Sequence, residues 1–192
     1  MKRKDHLALT GYLIGLCPGK WQKSTLRGAF YAGSTLPDCN PATYLRGITG
    51  SGRLAGHNTE YSYPQILRLL SGLRYSGVKD PLHAYRLGAL IHYLADAFTY
   101  PHTPSFTGNI PAHNAYERDL HRVFSDALCE KNTLLRAPED PVLFLWEALC
   151  RSREEIHTPR GDAARIVRVC TGIYWSVFQE NRLKSPNSNK NS

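Results

Sequence analysis

Three times the chain places a helix-capping residue directly before a proline: Asp80–Pro81, Asp140–Pro141 and Thr158–Pro159. Proline is tolerated at the first helical position, where its missing N–H would have had no partner. An Asp or Thr in front of it can accept the free amide protons of the first turn. Each pair opens an apolar run with helical spacing: "LHAYRLGALIHYLADAF", "VLFLWEALCRSREEI" and "RGDAARIVRVCTGIYWSVFQENRL". Ser24 is placed to cap "TLRGAFYAG", and Asn58 to cap "EYSYPQILRLLSGL", where Pro64 must fall in the first turns. No stretch sustains a period of two, so nothing in the chain asks for a sheet. The expectation is one all-α domain of six to seven helices over residues 1–184, followed by a polar, low-complexity, disordered tail at 185–192.

A chain of 192 residues with 42% hydrophobic and 21% charged residues can bury one sizeable core. Its formal charge of +8 favours anionic partners such as phosphate esters, nucleic acid or an acidic membrane surface. The five cysteines are widely spaced, odd in number and free of any CxxC, which argues against a disulfide framework and a cysteine zinc site. They are expected to be small buried hydrophobes. "MKRKDHLALTGYLIGLC" mimics a signal peptide, but Asp5 and His6 interrupt it and no small-x-small cleavage site follows. It reads better as a first helix with apolar face Leu7, Leu9, Leu13 and Ile14. A cytoplasmic location is therefore expected, with secretion the alternative. No stretch is long and apolar enough to span a membrane.

The segment "HYLADAFTYPH" carries the chemistry. His92 and Asp96 are four apart, so on a helix they project from one face, a turn from each other. Imidazole and carboxylate on one face suit a divalent ion of zinc type, although an Asp–His hydrogen-bonded pair would give the same pattern. His102 follows Pro101, which is expected to end the helix and leave His102 on a loop. "PAHNAYERDLH" then sets His113 and Glu117 four apart on a helix begun near Pro111. So many ligand-type side chains on adjacent helices fit a polynuclear metal site better than satisfied core histidines. His83, His121 and His157 read as surface, supporting or capping residues. Trp146, Trp175, Tyr174 and Phe178 read as core positions.

Upstream lie Asp38 in "GSTLPDCNPATYLRG", His57 in "GHN", and His6 near the start of the first helix. In this order the chain resembles the zinc-dependent phospholipase C family, and in "GSTLPDCNPATYLRG…GHN" especially its compact bacterial members. The pattern covers about residues 5–125 and runs N-terminal His, Asp after Pro, His, HYxGDxxxPxH, then HxxxE. Here Ala95 stands for the usual Gly, and the proline directly precedes His102.

That resemblance implies an all-helical bundle shared with the single-strand-specific zinc nucleases. It implies Zn2+ held by His6, Asp38, His57, His92, Asp96, His102, His113 and Glu117. One ion would take Asp38, His57, His92 and Asp96, and a second His102, His113 and Glu117. A third would take His6 and share Asp96. The family completes that third site with the amino group and carbonyl of an N-terminal tryptophan, whereas Met1 begins this sequence and no tryptophan precedes Trp21. The implied reaction is hydrolysis of a phosphodiester by in-line attack of water. Asp38 is the first candidate to take the water's proton and Glu117 the second. A phospholipid headgroup is the expected substrate, with peripheral membrane contact. The alternatives are a single-strand nuclease on the same centre and a non-catalytic scaffold stabilised by its metals.

Overall fold

The computed structural model describes residues 1–39, 59–130 and 136–179. Among these are seven α-helices and no strand: α1 (Arg3–Leu16), α2 (Ser24–Thr35), α3 (Thr59–Ser76), α4 (Pro81–Ala97), α5 (Ile110–Cys129), α6 (Pro141–Glu154) and α7 (Pro159–Gln179). Short 3-10 turns occupy Pro18–Trp21, Leu36–Cys39 and Tyr100–His102. The expected tail and the expected cap Asn58 lie outside the described residues.

The cap–proline pairs act as anticipated. Asp80 accepts from the His83 amide at 2.9 Å, and Asp140 from the Val142 and Leu143 amides at 2.9 and 3.0 Å. Thr158 Oγ1 accepts from Gly161 N at 3.1 Å. Asn109, not foreseen as a cap, accepts from Ala112 N at 3.0 Å and starts α5. Ser24 is already the first residue of α2, and Lys23 occupies its cap position without a side-chain bond. Helix α4 stops at Ala97, earlier than Pro101, and the Thr99 hydroxyl turns back onto the Ala95 carbonyl at 2.9 Å.

α4 is apolar nearly all round, which is the pattern of a helix enclosed by others. Leu87, Leu90, Ile91 and Leu94 are fully buried among Leu9 and Leu13 of α1, Phe30 of α2, Ile66 and Leu70 of α3, and Ile173 and Tyr174 of α7. Trp21 locks this core by stacking on Phe30 at 4.7 Å and donating its indole N–H to the Tyr174 hydroxyl at 2.7 Å. Two glycines set the closest helix crossing. A Cβ at Gly33 would lie 2.0 Å from the Tyr85 carbonyl oxygen, and one at Gly88 would lie 2.3 Å from that of Phe30. Only glycine lets the α2 and α4 backbones meet there. Trp146, expected inside, is 51% exposed, because its face of α6 turns away from the core. The cysteines also divide: Cys170 is buried, Cys17 and Cys150 are half-buried, and Cys129 is exposed.

Candidate metal centre

α4 carries His92 and Asp96 one turn apart on its buried face, and α1 brings His6 against them. The His6 and His92 rings stack at 4.3 Å. Asp96 Oδ1 lies 3.3 Å from His6 Nε2, and Asp96 Oδ2 lies 3.3 Å from His92 Nε2. The Gly33–Gly88 crossing has a direct consequence here. It brings the Ser34 carbonyl of α2 to 3.0 Å from His92 Nδ1. A carbonyl only accepts, so Nδ1 carries the proton and Nε2 is the nitrogen turned toward Asp96.

The second group is assembled across α5 and the Tyr100–His102 turn. Glu117 Oε1 lies 3.0 Å from His113 Nε2 and 3.5 Å from His102 Nε2. Each triad, His6–His92–Asp96 and His102–His113–Glu117, has its ligand atoms within 4.8 Å of one another. The amino group of Met1 lies between the two. It donates to Asp96 Oδ1 at 3.0 Å, sits 2.8 Å from Glu117 Oε1, and is 3.2 Å from His102 Nε2. A cation thus stands at the junction of two carboxylates and a histidine.

The electrostatics follow from this crowding. Burial alone lowers the pKa of the Met1 amino group, but Asp96 and Glu117 outweigh it and raise the value from 8.0 to about 10. Burial pushes Asp96 upward, yet the amino group, His102, His92 and His6 together hold its carboxyl well below the usual range. Glu117 behaves alike: burial raises it, and hydrogen bonds from His102 and His113 with the nearby amino group bring it down. His6 is lowered by burial first and by neighbouring His92 second, so its ring favours the neutral, ligand-competent form.

Around the second triad runs a support that the sequence did not announce. Asp162 of α7 is fully buried and accepts four bonds: Tyr100 N at 2.9 Å, the Tyr116 hydroxyl at 2.7 Å, His157 Nδ1 at 2.8 Å and Arg165 Nη1 at 2.9 Å. It ties α7 to the turn carrying His102 and to the residue before Glu117. Burial and the Asp162 bond raise the Tyr116 phenol further, keeping it protonated as a donor. His157 is therefore no helix cap; its Nδ1 is committed to Asp162. On the first triad's side, His121 bonds Asp5 Oδ1 at 2.5 Å, next to His6. His83 pairs with Asp80 at 2.8 Å, at the opposite end of α4 from Asp96. The backbone of Asp38 lies in the Leu36–Cys39 turn; its side chain and all of His57 lie outside the described residues.

The donor sets fit zinc. Each triad offers two imidazoles and one carboxylate, the borderline N/O mixture that zinc takes. The first triad also leaves polar demand unmet: among the described residues His6 Nδ1 is buried without a hydrogen bond, and His6 Nε2 and Asp96 Oδ2 have only their 3.3 Å contacts within the triad. Such atoms are costly in a core unless a ligand satisfies them. Searches among curated proteins and among solved structures each gave no match. The family model for zinc dependent phospholipase C matches residues 12–174, a span that contains His92, Asp96, His102, His113, Glu117 and Asp162 but not His6. With an all-helical fold and two His–His–carboxylate groups meeting at one place, this chain belongs to the zinc-dependent phospholipase C family.

Proposed function

We propose that the protein hydrolyses phosphodiesters and that its substrates are phospholipids cleaved at the headgroup phosphate. The observation that carries this reading is the meeting of the two triads at the Met1 amino group, where ionised carboxylates and imidazoles converge on one cation as they would on metal ions. We propose two zinc ions, one taking His92 and Asp96 with Asp38 and His57, the other taking His102, His113 and Glu117, with His6 beside Asp96 as the place for a third. When bound, zinc supplies Lewis acidity toward phosphate oxygens and lowers the pKa of water. The protein's own residues then divide the remaining work. His92, fixed by Ser34, and His6 hold Asp96 in place inside the core. His102 and His113 lie at the more open side, where a phosphate can approach, and turn their Nε2 atoms toward Glu117. Glu117 is engaged by His102, His113 and the amino group, so it serves better as a ligand than as a base. That leaves Asp38 as the group to take the proton from water.

A phospholipid substrate also calls for contact with a lipid surface. Ile110, 76% exposed, stands one turn before His113 and supports such contact at the open side. One observation favours the nuclease alternative: the rings of His113, Phe106 and Tyr100 adjoin in series, at 6.2 and 5.2 Å, and bases stack on such rings. The deciding experiment compares zinc-loaded protein on dispersed phospholipid, single-stranded DNA and a generic soluble diester, with and without chelator. Chelator-sensitive turnover of phospholipid is the expected result. Preference for DNA selects the nuclease, and inertness on all three selects the scaffold.

A further inference from the structure

Beside the second triad is a cavity of about 210 Å³, lined by Thr103, Ser105, Leu149, Ser152, Arg153 and His157 among others. It lies between the segment that follows the His102 turn, the C-terminal end of α6 and the start of α7. Thr103 directly follows His102, and Ala97, another wall residue, directly follows Asp96. The space is large enough for several waters or a group of headgroup size.

The polar lining is of one kind. Arg153 supplies a guanidinium, and Thr103, Ser105 and Ser152 supply hydroxyls; none of the lining residues is acidic. Thr103 and Ser105 share a hydrogen bond at 2.9 Å, while the Ser152 hydroxyl is buried with no partner among the described residues. His157 is held by Asp162 through Nδ1 and by stacking on Tyr100 at 4.9 Å, with no bond from its other ring nitrogen to any described residue. Histidine, arginine and hydroxyls together recognise oxyanions. The absence of a carboxylate in the wall removes the usual counter-charge for an ammonium headgroup.

We propose that this cavity is a binding subsite for a phosphate-bearing polyol, the headgroup of an anionic phospholipid or the same headgroup free in solution, contacted by His157, Arg153 and Ser152. The proposal rests on the phospholipid reading above and names the headgroup class. Asp162 gives the subsite its link to the metal centre, because the same carboxylate orients His157 and holds the turn bearing His102.

Two measurements test it on zinc-loaded protein. In the first, the His157 ring protons are followed by NMR during titration with inorganic phosphate and, separately, with inositol 1,4-bisphosphate. A saturable shift in the native protein that Arg153→Ala weakens by about tenfold supports the subsite; tighter binding of the bisphosphate than of phosphate shows that the polyol is recognised, an equal response to both overturns that class, and the hydrolysis comparison below separates the lipid from the free headgroup. No shift, or the same affinity in Arg153→Ala, overturns the proposal. In the second, short-chain phosphatidylinositol 4-phosphate and phosphatidylcholine are compared as substrates. The ratio of their kcat/KM values should fall about tenfold in Arg153→Ala and about threefold in Ser152→Ala. An unchanged ratio overturns the proposal, since a purely structural role would move both substrates together. If neither lipid is hydrolysed, the phospholipase reading fails, while the titration still decides the subsite on its own.

Discussion

His6, His92 and Asp96 are at most 1% exposed, whereas the side chains of His102, His113 and Glu117 are 13%, 31% and 14% exposed. The same residue types thus meet two environments. The first triad sits on the central helix, walled by α1 and α2, where every unmet polar atom weakens the fold. The second is gathered from a short turn and a peripheral helix, and Asp162 holds that turn from behind. Closed sites favour permanence, and sites with an open side favour exchange and substrate access. On the proposed function, this contrast assigns the core triad to organising the centre and the outer triad to meeting substrate.

Breaking the comparison at its core should have the largest effect. Asp96→Asn keeps the shape but removes the charge facing His6, His92 and the Met1 amino group, so metal content and nearly all activity should be lost together. Metal analysis and rate measurement check it; retention of both metals would remove Asp96 from the ligand set. His113→Ala should lower activity by on the order of 100-fold while leaving the thermal midpoint close to the parent, since its site is half open. A large fall in the midpoint would erase the distinction between the triads. Gly88→Ala touches neither carboxylate. It should cost about 1–3 kcal/mol by wedging α2 from α4, and weaken zinc affinity at the core triad more than at the outer one. Calorimetry and competitive chelation would read the two effects separately. The smallest effect belongs to His83→Ala, which removes a half-buried partner of Asp80 but keeps the capping amide. Stability should stay within about 0.5 kcal/mol, with activity unchanged.

What could be read in advance was local. Asp80, Asp140 and Thr158 announce helix starts because their partners are two or three residues away. His92–Asp96 and His113–Glu117 announce shared faces because one helical turn brings them together. The rest depends on distant partners. Ser34 meets His92 across 58 positions, and Asp162 meets Tyr100 across 62. Asp162 looks like a first-turn acid complementing a helix dipole, and that local role conceals the four bonds it accepts. His157 looked like a cap for the same reason, standing just before a helix. Gly33 and Gly88 resemble ordinary helix-weakening glycines until the two backbones are seen to cross. His6 carries meaning only through the order of a family motif, since it has no neighbour one turn away to pair with.

The bond between His92 and Ser34 reaches beyond geometry into spectroscopy. An imidazole N–H donated to a carbonyl inside a fully buried ring cannot trade its proton with water unless the helices part. Its resonance should therefore persist in aqueous solution, where most histidine ring protons vanish into the solvent line. That single signal would act as a native clock for the α2–α4 crossing, reporting how often the centre of the molecule breathes.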